Sequence, residues 1–349
     1  MENIHYLNFI PKPIINITKF LVIFLLYWGM YQVFIAKDGS LESLVAVWDM
    51  SAWQQLLIGV VFLFSVPNWL IEAKKWQISL LPVQQISFLR SVLGVFRGLP
   101  LAMFTPNRVG EAFGRPSVLF DNNRTAGVFA TCYCGLAQMP VMLFSAILAL
   151  AWFGFGFSSF ELQIGFIKEV WFIILLLVGA IFVSIVFFSP QSFIPFARKK
   201  KFLREIIVKL DFFSQYTVIQ KIYLLIFALI RYLVYCVQNY ILLRAFGVRV
   251  DFCDGLAGIF IVYVMMSFIP RPALAEFGVR CSFTVLIFGQ AVDSYASLAL
   301  SSALLWVINI MIPSALSIFT FFISIFCMTF YTLCCLLMQT LARTRSMHR

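Results

Sequence analysis

The chain has 349 residues, of which 62% are hydrophobic and 12% charged, with 40 Phe and a mean hydropathy of +0.95. These values exclude an ordinary water-soluble domain, in which roughly 45–50% of residues are apolar and about 25% charged. The formal charge of +11 does not argue for nucleic acid, because the basic residues sit in short loops between apolar runs, where they set topology and meet anionic lipid.

The N-terminal stretch MENIHYLNFIPKPIINITKF places a few basic residues ahead of a long apolar run with no small-residue cleavage site behind it, so it reads as a retained first span at 18 to 36. Further spans are expected at 53 to 73, 126 to 153, 168 to 189, 219 to 244, 293 to 312 and 314 to 338. A helix needs about 20 apolar residues to cross roughly 30 Å of hydrocarbon. The expected class is therefore an all-α polytopic membrane protein with about 7 full spans, residues 1 to 349 forming a single transmembrane domain.

Two more apolar segments, 86 to 104 and 252 to 269, run into the sequences MFTPNRVGEAFGRPSVLF and MMSFIPRPALAEFGVRCSF. Each ends at a proline, Pro106 or Pro270, and restarts just beyond it, as a membrane helix does when it is broken or turned back on itself. Pro272, Gly110, Gly114 and Gly278 shape the same two turns, the glycines admitting a headgroup or another helix to the backbone. Glu111 with Arg115, and Glu276 with Arg280, share i, i+4 spacing, so each pair can neutralise itself on one helix face.

A lone charge at membrane depth costs at least about 2.5 kcal/mol, so four ionisable groups at two matched places call for a packing role or a water-filled cavity. Beyond each proline, unpaired N–H groups of a helix start are expected at 107 to 110 and at 271 to 274; with Arg108 and Arg271 they suit a phosphate. Arg231 stands well inside the span 219 to 244 with Tyr235 and Gln238 on the same face, and either pairs with Glu111 or Glu276 or touches an anionic substrate. Gln138 before Pro140 and Asn309 before Pro313 read as interhelical hydrogen-bonding groups beside kinks.

The linker 197 to 217 (ARKKKFLREIIVKLDFFSQYT) sets Phe202, Ile206, Leu210 and Phe213 opposite its lysines, the pattern of an interfacial amphipathic helix. Its six Lys/Arg residues between 198 and 209 put it in the cytoplasm. Counting from there, and taking Lys74 and Lys75 as cytoplasmic markers, the first motif enters from the cytoplasmic side and the second from the outer side. The chain then reads as an inverted repeat, one half about 53 to 189 and the other about 219 to 338, each with a re-entrant helical hairpin. The same count puts Arg343, Arg345 and Arg349 outside, against the positive-inside rule.

The eight cysteines lie within or beside apolar runs, and the two histidines, His5 and His348, stand at opposite ends, so neither a metal site nor a catalytic nucleophile is expected. There is no Walker motif and no cofactor signature.

At the first motif, TPNRVGEAFGR resembles the signature of the flippase-like transmembrane domain of lysylphosphatidylglycerol synthase/flippase proteins, the multiple peptide resistance factor family, and of its stand-alone relatives. The second motif departs from it: relatives carry a glycine-rich stretch before their glutamate, where this chain has RPALAEFGVR. The resemblance implies a polytopic bundle with two re-entrant hairpins that moves phospholipid between leaflets of a bacterial inner membrane. Pro106, Arg108, Gly110, Glu111 and Arg115 would form the first hairpin, and Pro270, Glu276 and Arg280 the second. The aminoacyl-transferase domain of the full-length relatives is not in this chain, so lysyl transfer is not expected.

Arg108, Glu111, Arg115, Arg231, Glu276 and Arg280 are thus the expected contacts to an anionic phosphate headgroup, in a transporter rather than an enzyme. A non-catalytic partner of a synthase or glycosyltransferase and a membrane enzyme acting on a lipid phosphate are the alternatives, and a homo-oligomer is compatible with each.

Overall fold

The computed structural model describes residues 50–105, 107–158, 170–193, 212–269, 273–292 and 294–319. The expected span at 18 to 36, Pro106, Pro270, Arg271, Pro272, residues 197 to 211 of the 197 to 217 linker and the C-terminal tail lie outside the described residues. Among those described the chain is all helical, and five helices are long and apolar enough to cross a membrane.

Helix α1 (Ala52–Ser79) opens on a capping box in which Ser51 accepts from the Gln54 backbone N–H and the Gln54 side chain accepts from the Ser51 N–H. Helix α2 (Phe88–Phe104) follows a short turn and ends at Thr105. The chain reverses through Asn107 and Arg108, both left-handed at φ 49° and 59°, into α3 (Gly110–Gly114) and a 3-10 turn, Arg115–Val118. Helices α4 (Arg124–Leu136) and α5 (Gln138–Gly154) form one apolar run interrupted at Ala137, just before Pro140, whose ring and missing N–H disturb the preceding turn.

Helix α6 (Val170–Phe188) turns Trp171, Ile174, Val178, Ile181 and Phe182 outward, a face that suits lipid. Helix α7 (Val218–Ala245) matches α1: both have 28 residues, their starts and ends are offset by 166 positions (Ala52 to Val218, Ser79 to Ala245), and α7 too opens on a capping box, Thr217 with Gln220. Helices α8 (Phe252–Ser267) and α9 (Ala273–Phe288) form a second antiparallel hairpin, with Gly258 packed against the Phe288 ring.

Helix α10 (Tyr295–Trp306) continues through a π-helical turn, Val307–Met311, to Phe319. The expected break between spans 293 to 312 and 314 to 338 is therefore corrected: the helix passes through Pro313 without stopping. A π turn widens the backbone just ahead of the proline, where an α turn would press the ring on the Asn309 carbonyl.

The centre of the bundle is α1 packed along α7. Apolar clusters on α5 to α9, on α1 with α2 and α4, and on α1 with α7 and α10 surround that pair. Lipid supplies no hydrophobic drive for helix association, so close contact and hydrogen bonds must hold these helices together. Asn68 Nδ2 donates to Asn309 Oδ1 at 3.1 Å, Gln238 Nε2 to the Val61 carbonyl at 2.9 Å, and Trp76 Nε1 to Thr131 Oγ1 at 2.9 Å.

Candidate functional site

The first hairpin is built by the absence of side chains. A Cβ on Gly110 would stand 2.2 Å from the Leu101 carbonyl oxygen, and one on Gly114 would stand 2.7 Å from the Gly98 Cα, so α3 lies directly on the backbone of α2. Thr105 fixes the tip: its hydroxyl donates to the Leu101 carbonyl at 2.9 Å and accepts from the Gly110 N–H at 2.7 Å. Of the two agents the sequence allowed at Gly110 and Gly114, a headgroup or another helix, the helix takes the space. Gly278 is buried, and its carbonyl accepts from Ser282.

Of the N–H groups expected at 107 to 110 to await an anion, two are already used. Those of Arg108 and Gly110 bond to Thr105 O and Thr105 Oγ1, and those of Glu111 and Ala112 just beyond bond to Arg108 O and Val109 O. In the first motif the expected helix-start anion cradle thus loses the Arg108 and Gly110 donors; in the second, its expected residues lie outside the described backbone or begin α9.

What the hairpin does supply is charge. Glu111 Oε1 holds Arg108 Nη2 at 2.5 Å, and Glu111 Oε2 holds Arg115. Arg115 reaches on to Glu72 of α1, Nη1 to Oε1 at 2.8 Å. Glu72 is 4% exposed and gathers two more cations, Lys75 Nζ at 2.8 Å and Arg231 Nε of α7 at 3.3 Å. Trp69, one turn before Glu72, has the guanidinium carbons of Arg108 and Arg231 at 5.9 and 5.7 Å from its ring centroid, in the range of cation–π attraction.

Sequence reasoning missed Glu72, Lys75 and Trp69. Lys75 is corrected from a cytoplasmic loop marker to a buried ion-pair partner, because α1 runs on to Ser79 and carries it inside. The available signal was a Glu–Lys pair at i, i+3 in an otherwise apolar helix. Arg231 finds Glu72, a partner outside the two motifs.

The second motif forms its own cluster. Arg280, 1% exposed, bonds Glu276 Oε1 at 2.5 Å, the Tyr263 hydroxyl at 3.0 Å and the Tyr235 hydroxyl at 3.0 Å, with both phenol rings 5.3 Å from its guanidinium carbon. Asn239 Nδ2 donates to the Tyr263 hydroxyl at 3.2 Å. Tyr235 lies one turn after Arg231 on α7, so that helix joins the two clusters. Helix α9 also packs on α2, and Arg108 and Glu276, one from each motif, interact electrostatically.

Burial of so many charges is tolerable only because each has an opposite charge at hand; removing one partner strands the other in a poor solvent. Among the described residues no group of three or more His, Cys, Asp or Glu could hold a metal ion. A scan against protein-family models finds no match to the chain, and a search of curated proteins finds no significant match.

Proposed function

We propose that the chain is a lipid transporter that moves a phospholipid or lipid-linked anionic headgroup between the leaflets of a bacterial inner membrane. One observation carries the reading. Where α1, α7 and the two hairpins meet, the described residues set five cations, Lys75, Arg108, Arg115, Arg231 and Arg280, against three carboxylates, Glu72, Glu111 and Glu276. Scaffolding alone would be served by equal numbers, since uncompensated charge inside an apolar bundle is costly. A surplus of positive charge is what a passing anion would neutralise.

The matched lengths and capping boxes of α1 and α7 support an inverted repeat of two halves, each bringing a helical hairpin to the centre. The resemblance of TPNRVGEAFGR to the flippase-like family points the same way. In this reading the headgroup crosses against the arginines while its hydrocarbon chains stay in lipid.

Leaflet exchange tests it. Proteoliposomes of the full chain should move fluorescent anionic phospholipids or a polyprenyl phosphate faster than protein-free vesicles do. No exchange of either lipid, with a synthase or glycosyltransferase copurifying, would replace transport by an assembly role.

A further inference from the structure

The surplus cations are not spread evenly. Lys75, Arg115 and Arg280 side chains are 1–3% exposed and lock into carboxylates, whereas Arg108 and Arg231 are 28% and 21% exposed and lie against one indole. Neither is needed to neutralise its carboxylate: Glu111 keeps Arg115 without Arg108, and Glu72 keeps Lys75 and Arg115 without Arg231.

Hydrogen-bond donors are in surplus at the same place. Trp69 Nε1 and Arg115 Nε are buried with no hydrogen-bond acceptor among the described residues, and Arg231 Nε has only the Glu72 carboxylate at 3.3 Å. Buried donors are rarely left so, and two beside the same ion-pair network suit an acceptor that a ligand would bring. The acceptor that satisfies both surpluses has several oxygens and two negative charges.

We propose that the ligand of this centre carries a doubly charged terminal phosphate and that Arg108 and Arg231, against the Trp69 indole, are its seat; the lipid source of that phosphate rests on the transport reading above. A phosphate monoester brings about −1.5 to −2 charges near pH 7 and three strong acceptor oxygens, while a diester brings one charge. Guanidinium groups pair with phosphate oxygens through two parallel N–H donors, and two guanidiniums match a dianion. The seat therefore selects a prenyl-phosphate-like or phosphatidate-like headgroup over the diester headgroups of bulk phospholipid.

Binding to the purified full chain in phosphatidylcholine nanodiscs tests this with three probes: a short prenyl monophosphate, its methyl diester and inorganic phosphate. The monoester should bind at least about tenfold more tightly than the diester, and Arg108→Gln or Arg231→Gln should each weaken it about tenfold. Arg231→Lys should recover only part of that loss, since it keeps the charge but not the two parallel donors or the planar stacking on Trp69. Equal affinity for monoester and diester, or unchanged monoester binding in both Gln variants with unfolding temperatures intact, overturns the proposal. Inorganic phosphate competing as well as the prenyl ester overturns the lipid source. Selective monoester binding without leaflet exchange upholds the dianion seat and removes the transport reading instead.

Discussion

Glu72 of α1 and Arg231 of α7 meet at 3.3 Å, so the two 28-residue helices at the centre of the bundle are tied by charge as well as by packing. At the offset of 166 that aligns these helices, Trp69 falls on Tyr235, and both rings face arginine. Glu72, however, falls on Gln238, a neutral residue that donates to the Val61 carbonyl. The charge network is therefore concentrated around α1, and each of the two clusters has its own vulnerabilities.

Glu72→Gln should be the most damaging single substitution in the centre. It leaves Lys75, Arg115 and Arg231 without their shared carboxylate, a loss of about 3–5 kcal/mol on the scale of broken buried pairs. Glu111→Gln should cost less, because Arg115 keeps Glu72 and Arg108 is partly exposed. Thermal unfolding in detergent ranks the two; an equal or reversed order would contradict Glu72 as the hub.

Tyr235→Phe removes one hydroxyl acceptor from Arg280 while keeping the ring against it. The expected loss is about 1–3 kcal/mol, the cost of an unsatisfied buried donor, and it should couple with Tyr263→Phe, since both hydroxyls serve one guanidinium. Additive losses in the double mutant would mean that the two tyrosines act separately.

Backbone contact in the first hairpin makes a sharp steric prediction. Gly110→Ala and Gly114→Ala should each destabilise by about 1–3 kcal/mol through overpacking, whereas Gly59→Ala and Gly179→Ala, with nothing within 4 Å of the added carbon, should not. Thr105→Val should resemble the first pair, because it removes both hydrogen bonds at the tip. Unfolding temperatures of the five variants check this.

Opposed hairpins should label from opposite sides of the membrane. Val109 and Phe268, each 54% exposed at a hairpin tip, are suited to single-cysteine replacement in a cysteine-free background. An impermeant thiol reagent should reach Val109→Cys from the cytoplasmic side and Phe268→Cys from the outer side. Labelling from one side would rule out the inverted arrangement.

Much of the helical layout was legible because apolar run length is nearly a direct readout of a membrane helix: 219 to 244 became Val218–Ala245, and 86 to 104 became Phe88–Phe104. The Glu–Arg contacts were legible from i, i+4 spacing alone, which local helix geometry fixes. Glu72 was not, since nothing local says that the end of one helix will lie beside Arg115 of a turn 43 residues later. Lys75 was misread for the same reason: a charge near a span end looks solvated until a neighbouring helix covers it. Pro313 misled in the other direction, because a π turn absorbed a proline that normally ends a span.

The most direct measurement is leaflet exchange of fluorescent phospholipid and polyprenyl phosphate in proteoliposomes, comparing the wild type with Glu111→Gln and Glu276→Gln at matched reconstitution and matched unfolding temperature. The account predicts exchange by the wild type and its loss in both variants while each remains folded. Exchange that persists in both, or a wild type that moves neither lipid, would make the paired charges scaffolding and contradict the claim that they form a transport site.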